Sequence, residues 1–218
     1  MKLRMMAVIL AIAFAFAASN AVAGPILTVY TSKAAWAAAV GSYNTQDFNS
    51  FTTGVSYESA PVTAGDVTVS MTGSDFGFNF HNIGPCSTLC GPGVTNDVNG
   101  TPQINAATGT TGGTTLTFSA PLIAFGADWA GISDARVTSI DVGGTIVAIP
   151  NLYHAFWGFT SDTPFTAPML FLSSGPADGF GIDNVVYSSS AKVPEPSSLL
   201  LLGSALAGLG ILRRKKTA

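Results

Sequence analysis

Short runs in which apolar and polar residues alternate dominate the middle of the chain. Residues 138–142 alternate without a break, residues 67–71 do the same, and residues 145–149 follow the first run after Gly143-Gly144. Alternation of period two indicates a β-strand, and a Gly-Gly pair between two such runs is a hairpin signal. Eight further strands are predicted at residues 26–30, 45–49, 76–80, 114–118, 122–129, 153–159, 169–172 and 180–187.

Eleven short strands separated by Gly, Pro, Asn and Asp predict an all-β fold, a jelly-roll-like β-sandwich. One short helix is predicted near its start, because Ser32 can cap the Ala-rich run at residues 33–40 and Gly41 can end it. Trp36 of this helix is predicted to pack on the edge of the sandwich. Residues 81–115, dense in Gly, Pro, Asn and Thr, are predicted to form a long irregular segment.

The first hydrophobic run of the chain has the pattern of a secretory signal peptide. Two basic residues precede an apolar stretch at residues 5–18, and a small-x-small pattern follows it. Residues 1–23 are therefore predicted to be removed by signal peptidase, at a site formed by Ala21, Ala23 and Gly24. A retained N-terminal membrane helix is the alternative.

A second hydrophobic run, residues 197–212, ends against four consecutive cations. Its 16 residues are fewer than the roughly 20 that span a bilayer core of about 30 Å, so it is predicted to be a transmembrane helix of minimal length. The positive-inside rule keeps the basic tail, residues 213–216, in the cytoplasm and places the body of the protein outside it. This basic stop consists of Arg213, Arg214, Lys215 and Lys216.

Pro194-Glu195-Pro196 lies directly before that run, and its prolines predict an extended, accessible peptide at the membrane face. On the residues alone, an ordinary tail anchor explains this arrangement equally well. Together, this Pro-Glu-Pro motif, the apolar helix and the basic cluster resemble the PEP-CTERM sorting signal of Gram-negative bacteria. The resemblance covers residues 193–218. The resemblance implies that an exosortase, a membrane protease or transpeptidase, recognises Pro194, Glu195 and Pro196. It also implies transient residence in the inner membrane before export to the cell surface.

The predicted ectodomain, residues 24–187, and the linker after it, residues 188–192, are acidic. Together they hold three basic residues against eleven acidic ones, a formal net charge of −8, whereas the whole chain carries −3. Binding to nucleic-acid phosphates demands clusters of Lys and Arg. Nucleic acid is therefore excluded as a partner.

Both cysteines of the chain, Cys86 and Cys90, lie in the predicted irregular segment with three residues between them. In an oxidising compartment this spacing favours a small disulfide that stiffens the loop. Free thiols are one alternative, and a metal site with His81 as a third ligand is the other. Zinc takes four ligands, and the sequence offers no second cysteine pair.

Residues 179–187 resemble the last strand of many extracellular jelly-roll domains of the carbohydrate-binding kind. The resemblance implies a structural calcium ion at Asp183, with Asp47 as a partner from an early strand, since oxygen ligands suit Ca²⁺. The alternative is that Asp183 only hydrogen-bonds neighbouring turns. No other cofactor is expected.

Several aromatic residues close to one another in the sequence are either a sugar-stacking platform or part of the core. Alternation of Phe125 and Trp129 on one strand face favours the core for these two and for Phe156. Tyr153 and Trp157 are left open between the two interpretations.

Catalytic motifs are not evident in the sequence. The two histidines, His81 and His154, lie in no nucleophile motif, and Glu58 is the one glutamate before the tail. We therefore expect no enzyme, but an exported cell-surface or extracellular-matrix protein, sorted by an exosortase and associated with exopolysaccharide. A carbohydrate-binding module is the alternative. A secreted hydrolase is less favoured and would need a cleft with two close carboxylates, one of raised pKa.

Overall fold

The computed structural model describes residues 24–73, 81–86, 96–132, 137–151, 154–166 and 168–189. These residues form one helix and fourteen strands. In chain order they are β1 (Leu27–Tyr30), α1 (Lys33–Val40), β2 (Asn44–Gln46), β3 (Val55–Ser56), β4 (Val62–Ala64), β5 (Val67–Thr72), β6 (Asn82–Pro85), β7 (Pro102–Thr108), β8 (Gly113–Phe118), β9 (Leu122–Ala130), β10 (Thr138–Val142), β11 (Thr145–Ala148), β12 (Ala155–Phe165), β13 (Met169–Ser173) and β14 (Asp178–Ser188). The prediction of an all-β fold with one short helix is confirmed.

The strands form one antiparallel sheet rather than two separate ones. Its main order is β1-β12-β9-β14-β7-β8-β13-β10-β11, with β2 also paired to β14, β5 to β8 and β6 to β7. Strand β14 is central, because it pairs with β9, β7 and β2. The long last strand therefore organises the sheet.

This sheet curls round until its two ends share one core. Trp129 of β9 and Phe171 of β13 have ring centroids 5.6 Å apart, although three strands separate β9 from β13 in the hydrogen-bonded order. In a flat sheet, four steps of about 4.8 Å would hold them much further apart. The two ends also meet directly, since Thr145 Oγ1 in β11 donates to the Pro25 carbonyl, just before β1, at 3.3 Å. The two layers predicted for a sandwich are thus parts of one curled sheet.

Alternating strands place their apolar side chains in this core, as predicted. Val67 and Val69 of β5 and Ile140 and Val142 of β10 are buried, whereas the residues between them are partly exposed. The Gly143-Gly144 hairpin is also confirmed. Both glycines have positive φ, 59° and 90°, as a tight two-residue hairpin turn requires.

Helix α1 begins and ends where the sequence predicts. The Ser32 side chain accepts a hydrogen bond from the Ala35 amide, and the Gly41 amide donates to the Ala37 carbonyl. Trp36 is fully buried. It packs with Ala124, Phe156 and Val186 in a second apolar cluster on the other face of β9, β12 and β14, and its Nε1 donates to the Phe159 carbonyl at 3.1 Å.

The prediction of an irregular segment at residues 81–115 is wrong for much of its length. Strands β6 and β7 lie within it, together with the start of β8. The sequence of β7 contains Pro, Asn and two Ala residues, which are depleted in strands, but β7 lies between β14 and β6 and is almost wholly buried. Tertiary context overrides local preference there.

Several predicted segments lie outside the described residues: the signal peptide at 1–23, the strand at 76–80, the end of the linker and the C-terminal segment with its transmembrane helix at 197–212. The boundaries given for these segments stay predictions. The single helix that the structure describes is too short to cross a bilayer.

Candidate functional site

Asp183 lies at the middle of the central strand β14, directly across from Asp128 of β9. The Asp183 residue is 1% exposed, and its carboxylate accepts three hydrogen bonds. Asn99 Nδ2 and Thr101 Oγ1 donate to Oδ2 at 2.9 Å and 3.0 Å, and the Asn184 amide donates to Oδ1 at 2.7 Å. We refer to Asn99, Thr101, Asp128, Asp183 and Asn184 as the Asp183 cluster.

A bulge in β14 brings two consecutive side chains to this cluster. The register with β9 shifts between Asp183 and Val186, and Asn184 adopts a left-handed backbone with φ 48°. Neighbouring residues of a regular strand point to opposite faces, whereas a bulge re-aims one of them. Asn184 Nδ2 consequently donates to Asp128 Oδ2 at 3.0 Å.

Of the two carboxylates in the cluster, Asp128 alone has a cation beside it among the described residues. Lys33 Nζ of α1 lies 3.3 Å from Asp128 Oδ2, in a partly exposed ion pair. Burial, with a smaller contribution from the nearby Asp128 carboxylate, raises the pKa of Asp183 above its ordinary value of 3.8, despite its hydrogen bonds.

The loop before β7 is fastened to β14 and supplies the remaining donors. Asn96 Nδ2 donates to the Gly179 carbonyl at 2.7 Å, and the Val98 amide donates to Gln103 Oε1 at 2.8 Å. Gln103 Nε2 in turn donates to the Asn96 carbonyl at 2.7 Å. These contacts hold Asn99 and Thr101 over Asp183.

A small cleft of about 180 Å³ opens beside the cluster. It is lined by Val98, Asn99, Asp128, His154, Ala155 and Phe156. His154 is exposed and has a left-handed backbone, φ 77°, and its Nδ1 lies 3.2 Å from the Val98 carbonyl. One carboxylate, Asp128, therefore borders solvent here, while Asp183 is covered.

Asp47 adds no contact to the Asp183 cluster among the described residues. It follows β2, and its Oδ1 accepts from the Asn49 amide at 3.4 Å. The described part of the chain holds no group of three His, Cys, Asp or Glu side chains suited to a metal ion. Both oxygens of Asp183 already accept hydrogen bonds, so this pair does not present an open set of ligands. Calcium at Asp183 and Asp47 stays a prediction.

The aromatic platform proposed for sugar stacking is not present among the described residues. Phe125, Trp129, Trp157 and Phe159 belong to the main core, and Phe156 is buried under α1. The core interpretation of Phe125, Trp129 and Phe156 is confirmed. Tyr153 lies outside the described residues.

The remaining predicted sites fall largely outside the described ranges. Cys86 and His81 are both 3% exposed, but Cys90 is not described, and the disulfide stays a prediction. Gly24 is described, whereas Ala21 and Ala23 of the signal peptidase site are not, and neither are the sorting motif or the basic stop.

Sequence reasoning missed Lys33, Asn99, Thr101 and Asp128 as members of a site. A signal existed for Asp128, since it lies between the core positions Ala127 and Trp129 and must face the other side of β9. Lys33 and Asn99 are 95 and 84 residues away from their partners. No local pattern joins them.

Comparison with known proteins assigns the C-terminal segment. Residues 192–215 match the family model of the PEP-CTERM protein-sorting motif. No curated protein and no solved structure matches the chain. The motif marks an exported protein that an exosortase processes, by way of a membrane-anchored intermediate in a Gram-negative cell. The chain therefore carries a PEP-CTERM sorting motif near its C-terminal end.

Proposed function

We propose that this protein is a non-catalytic component of the cell surface or extracellular matrix, held there through exopolysaccharide. The observation that carries the proposal is the sorting motif at residues 192–215, which begins four positions after the last strand ends at Ser188. All the described strands thus precede the motif. Cleavage at the motif would release or transfer the whole sheet without cutting any of its strands.

Sorting is tested by the intact mass of the protein from the outer surface and medium of its native host. A species that begins at Gly24 and ends near Pro194 to Pro196 supports the proposal. A species that retains Arg213 and stays with the inner membrane contradicts it.

The chain offers a matched control, because Glu58 and Glu195 are its only glutamates. Glu195→Ala removes the central residue of the motif and should leave the protein unprocessed in the inner membrane. Glu58→Ala, on an exposed residue of the body, should be processed as the wild type is. Equal processing of both variants would show that the motif does not direct sorting.

The absence of catalysis is supported by the way the Asp183 cluster uses its carboxylates. Asp183 is covered and accepts three hydrogen bonds, and Asp128 accepts from Lys33 and Asn184. Through these bonds the two carboxylates join α1, the loop before β7, β9 and β14, which is a structural role for both.

A secreted hydrolase is the second candidate, favoured by one observation. Asp128 borders a cleft, lies across from Asp183, and the pKa of Asp183 is raised. Incubation of the exported protein with the host's own exopolysaccharide would decide. New reducing ends that disappear in Asp128→Asn would establish a hydrolase and refute the non-catalytic role.

A further inference from the structure

A second polar region lies away from the Asp183 cluster, on the outer face of the strands around β5 and β8. It is a groove of about 410 Å³, bounded at one end by the Gly143-Gly144 turn and Pro168. We call it the hydroxyl groove. Its floor is formed by Ser70, Thr72, Thr115, Thr117, Asp141 and Leu170.

Strand register explains why these side chains line up. Ser70 pairs with Thr115, and Thr115 pairs with Leu170. Leu170 in turn pairs with Asp141. Directly paired residues point to the same face, so the four form a row across β5, β8, β13 and β10, about 14 Å long at ~4.8 Å per strand.

The groove keeps polar atoms that the fold does not use. Thr115 Oγ1 donates to Thr72 Oγ1 at 2.9 Å, but within the described residues the hydroxyls of Ser70 and Thr117 make no hydrogen bond. Asp141 uses only Oδ1 there, which accepts from the Gly144 amide at 2.8 Å. By contrast, Thr114 points inward and bonds both Tyr57 and the β7 backbone.

We infer that the hydroxyl groove binds an uncharged polysaccharide. Each hydroxyl both donates and accepts, which matches the hydroxyls of a sugar chain, and the Asp141 carboxylate adds an acceptor. Partly buried Leu170 offers an apolar contact in the middle of the row, suited to the C–H face of a sugar ring.

The charge of this surface disfavours binding of anionic polymers. The described residues that line the groove include Asp141 and no Lys or Arg, and residues 24–192 carry a formal charge of −8. A polyanion would be repelled from this surface. The inference deepens the proposed association with exopolysaccharide and rests on it for the choice of partner.

The test uses the exported protein purified from its host, run by affinity electrophoresis in gels that contain dextran, pullulan or galactomannan, with alginate as the polyanion. The wild type should be retarded by at least one neutral polymer and not by alginate. The double variant Ser70→Ala/Thr117→Ala should lose about tenfold in affinity, the effect of two hydrogen bonds. Asp141→Asn keeps the acceptor for Gly144 and should lose less.

The matched control is Thr28→Ala/Thr160→Ala, a paired set of threonines on β1 and β12, away from the groove. It should bind as the wild type does. The inference is overturned if the wild type binds no neutral polymer, if alginate retards it equally, or if control and groove variants lose the same affinity. If the groove variant differs from the wild type in oligomeric mass but not in retention, the groove is a contact between copies of the chain. That result also overturns the inference.

Failure here can be told apart from failure of the proposed function. Correct processing and surface location without polysaccharide retention would reject only the groove. An uncut protein in the inner membrane would reject the proposed function, whatever the gels show.

Discussion

The Asp183 cluster and the hydroxyl groove are two polar regions of one sheet that use their polar atoms in opposite ways. In the cluster, Asp183 and Asp128 accept from side chains of three separate segments. In the groove, Ser70 and Thr117 keep their hydroxyls out of such bonds among the described residues. Buried polar groups are normally hydrogen-bonded within the protein. The bonds of the cluster therefore stabilise the fold, whereas the hydroxyls of Ser70 and Thr117 stay available to a ligand. A ligand site is therefore better sought in the groove.

The largest effect on stability is expected when the Asp183 carboxylate is removed from the cluster. Asp183→Ala leaves three donors without their acceptor, and the free energy of unfolding should fall by about 3 kcal/mol. Urea unfolding of the exported protein measures it. Ser70→Ala in the groove is the control and should change the free energy by less than about 0.5 kcal/mol. Equal effects of the two substitutions would remove the distinction between the regions.

Asp183→Asn removes the titrating carboxylate and tests how it makes stability depend on pH. Because the pKa of Asp183 is raised in the folded protein, the unfolded chain loses its proton first as pH rises above the ordinary value of 3.8. This residue therefore lowers the free energy of unfolding as pH rises through that window. Asp183→Asn should show a smaller decline in a series of urea titrations between acid and neutral pH. An unchanged slope would contradict the raised pKa.

The next largest loss of stability is expected from substituting a glycine where β9 and β12 lie in close contact. Gly158 and Gly126 are directly paired, and a Cβ on Gly158 would lie 2.6 Å from the Phe125 carbonyl oxygen and 2.7 Å from Gly126 Cα. Backbone atoms cannot yield as a flexible side chain can. Gly158→Ala should therefore cost about 2 kcal/mol in urea unfolding. Wild-type stability in this variant would show that the two strands can separate freely.

A smaller effect is expected at Tyr187, the last aromatic residue of β14. Its hydroxyl donates to Asp66 Oδ2 at 2.9 Å, and burial together with that carboxylate raises the pKa of Tyr187 to about 12. The unfolded tyrosine ionises near 10, so the free energy of unfolding should fall between pH 10 and about 12. Tyr187→Phe should flatten this decline and cost about 1 kcal/mol at neutral pH. Tyr43→Phe, on a half-exposed tyrosine, should leave the decline in place.

The smallest effect belongs to the partly exposed ion pair of the cluster. Lys33→Ala removes the partner of Asp128 and should cost about 0.5 kcal/mol, less in high salt, because solvent screens the pair. Urea unfolding at low and high salt checks both parts. A loss as large as that of Asp183→Ala would show that Lys33 organises the cluster.

Local features of the fold could be predicted from the sequence. The Ser32 cap, the Gly41 stop and the Gly143-Gly144 turn depend on neighbours within a few residues, and all were correct. Strand β7 depends instead on β14, which lies about 75 residues away in the chain, and was missed. The PEP-CTERM signal was found because it is a contiguous segment.

Neither polar region could be assembled from the sequence. Alternation indicates that Ser70 faces away from the core, but not that β8 and β13 lie beside β5. Asp183 was singled out, yet Thr101 reaches it across 82 residues. Contacts of this kind depend on the curl of the sheet, which no short pattern records.

The position of β14 has a mechanical consequence. A protein tethered at its C-terminus receives any drag from flow or from the surrounding matrix through its last strand. Here that strand is 11 residues long and is bonded to β9 and β7 along its flanks and to β2 near its end. A pull on the tail would be shared among many hydrogen bonds loaded together instead of peeling an edge open one bond at a time. Attachment by this end would place the load on a strand that is hydrogen-bonded along both of its sides.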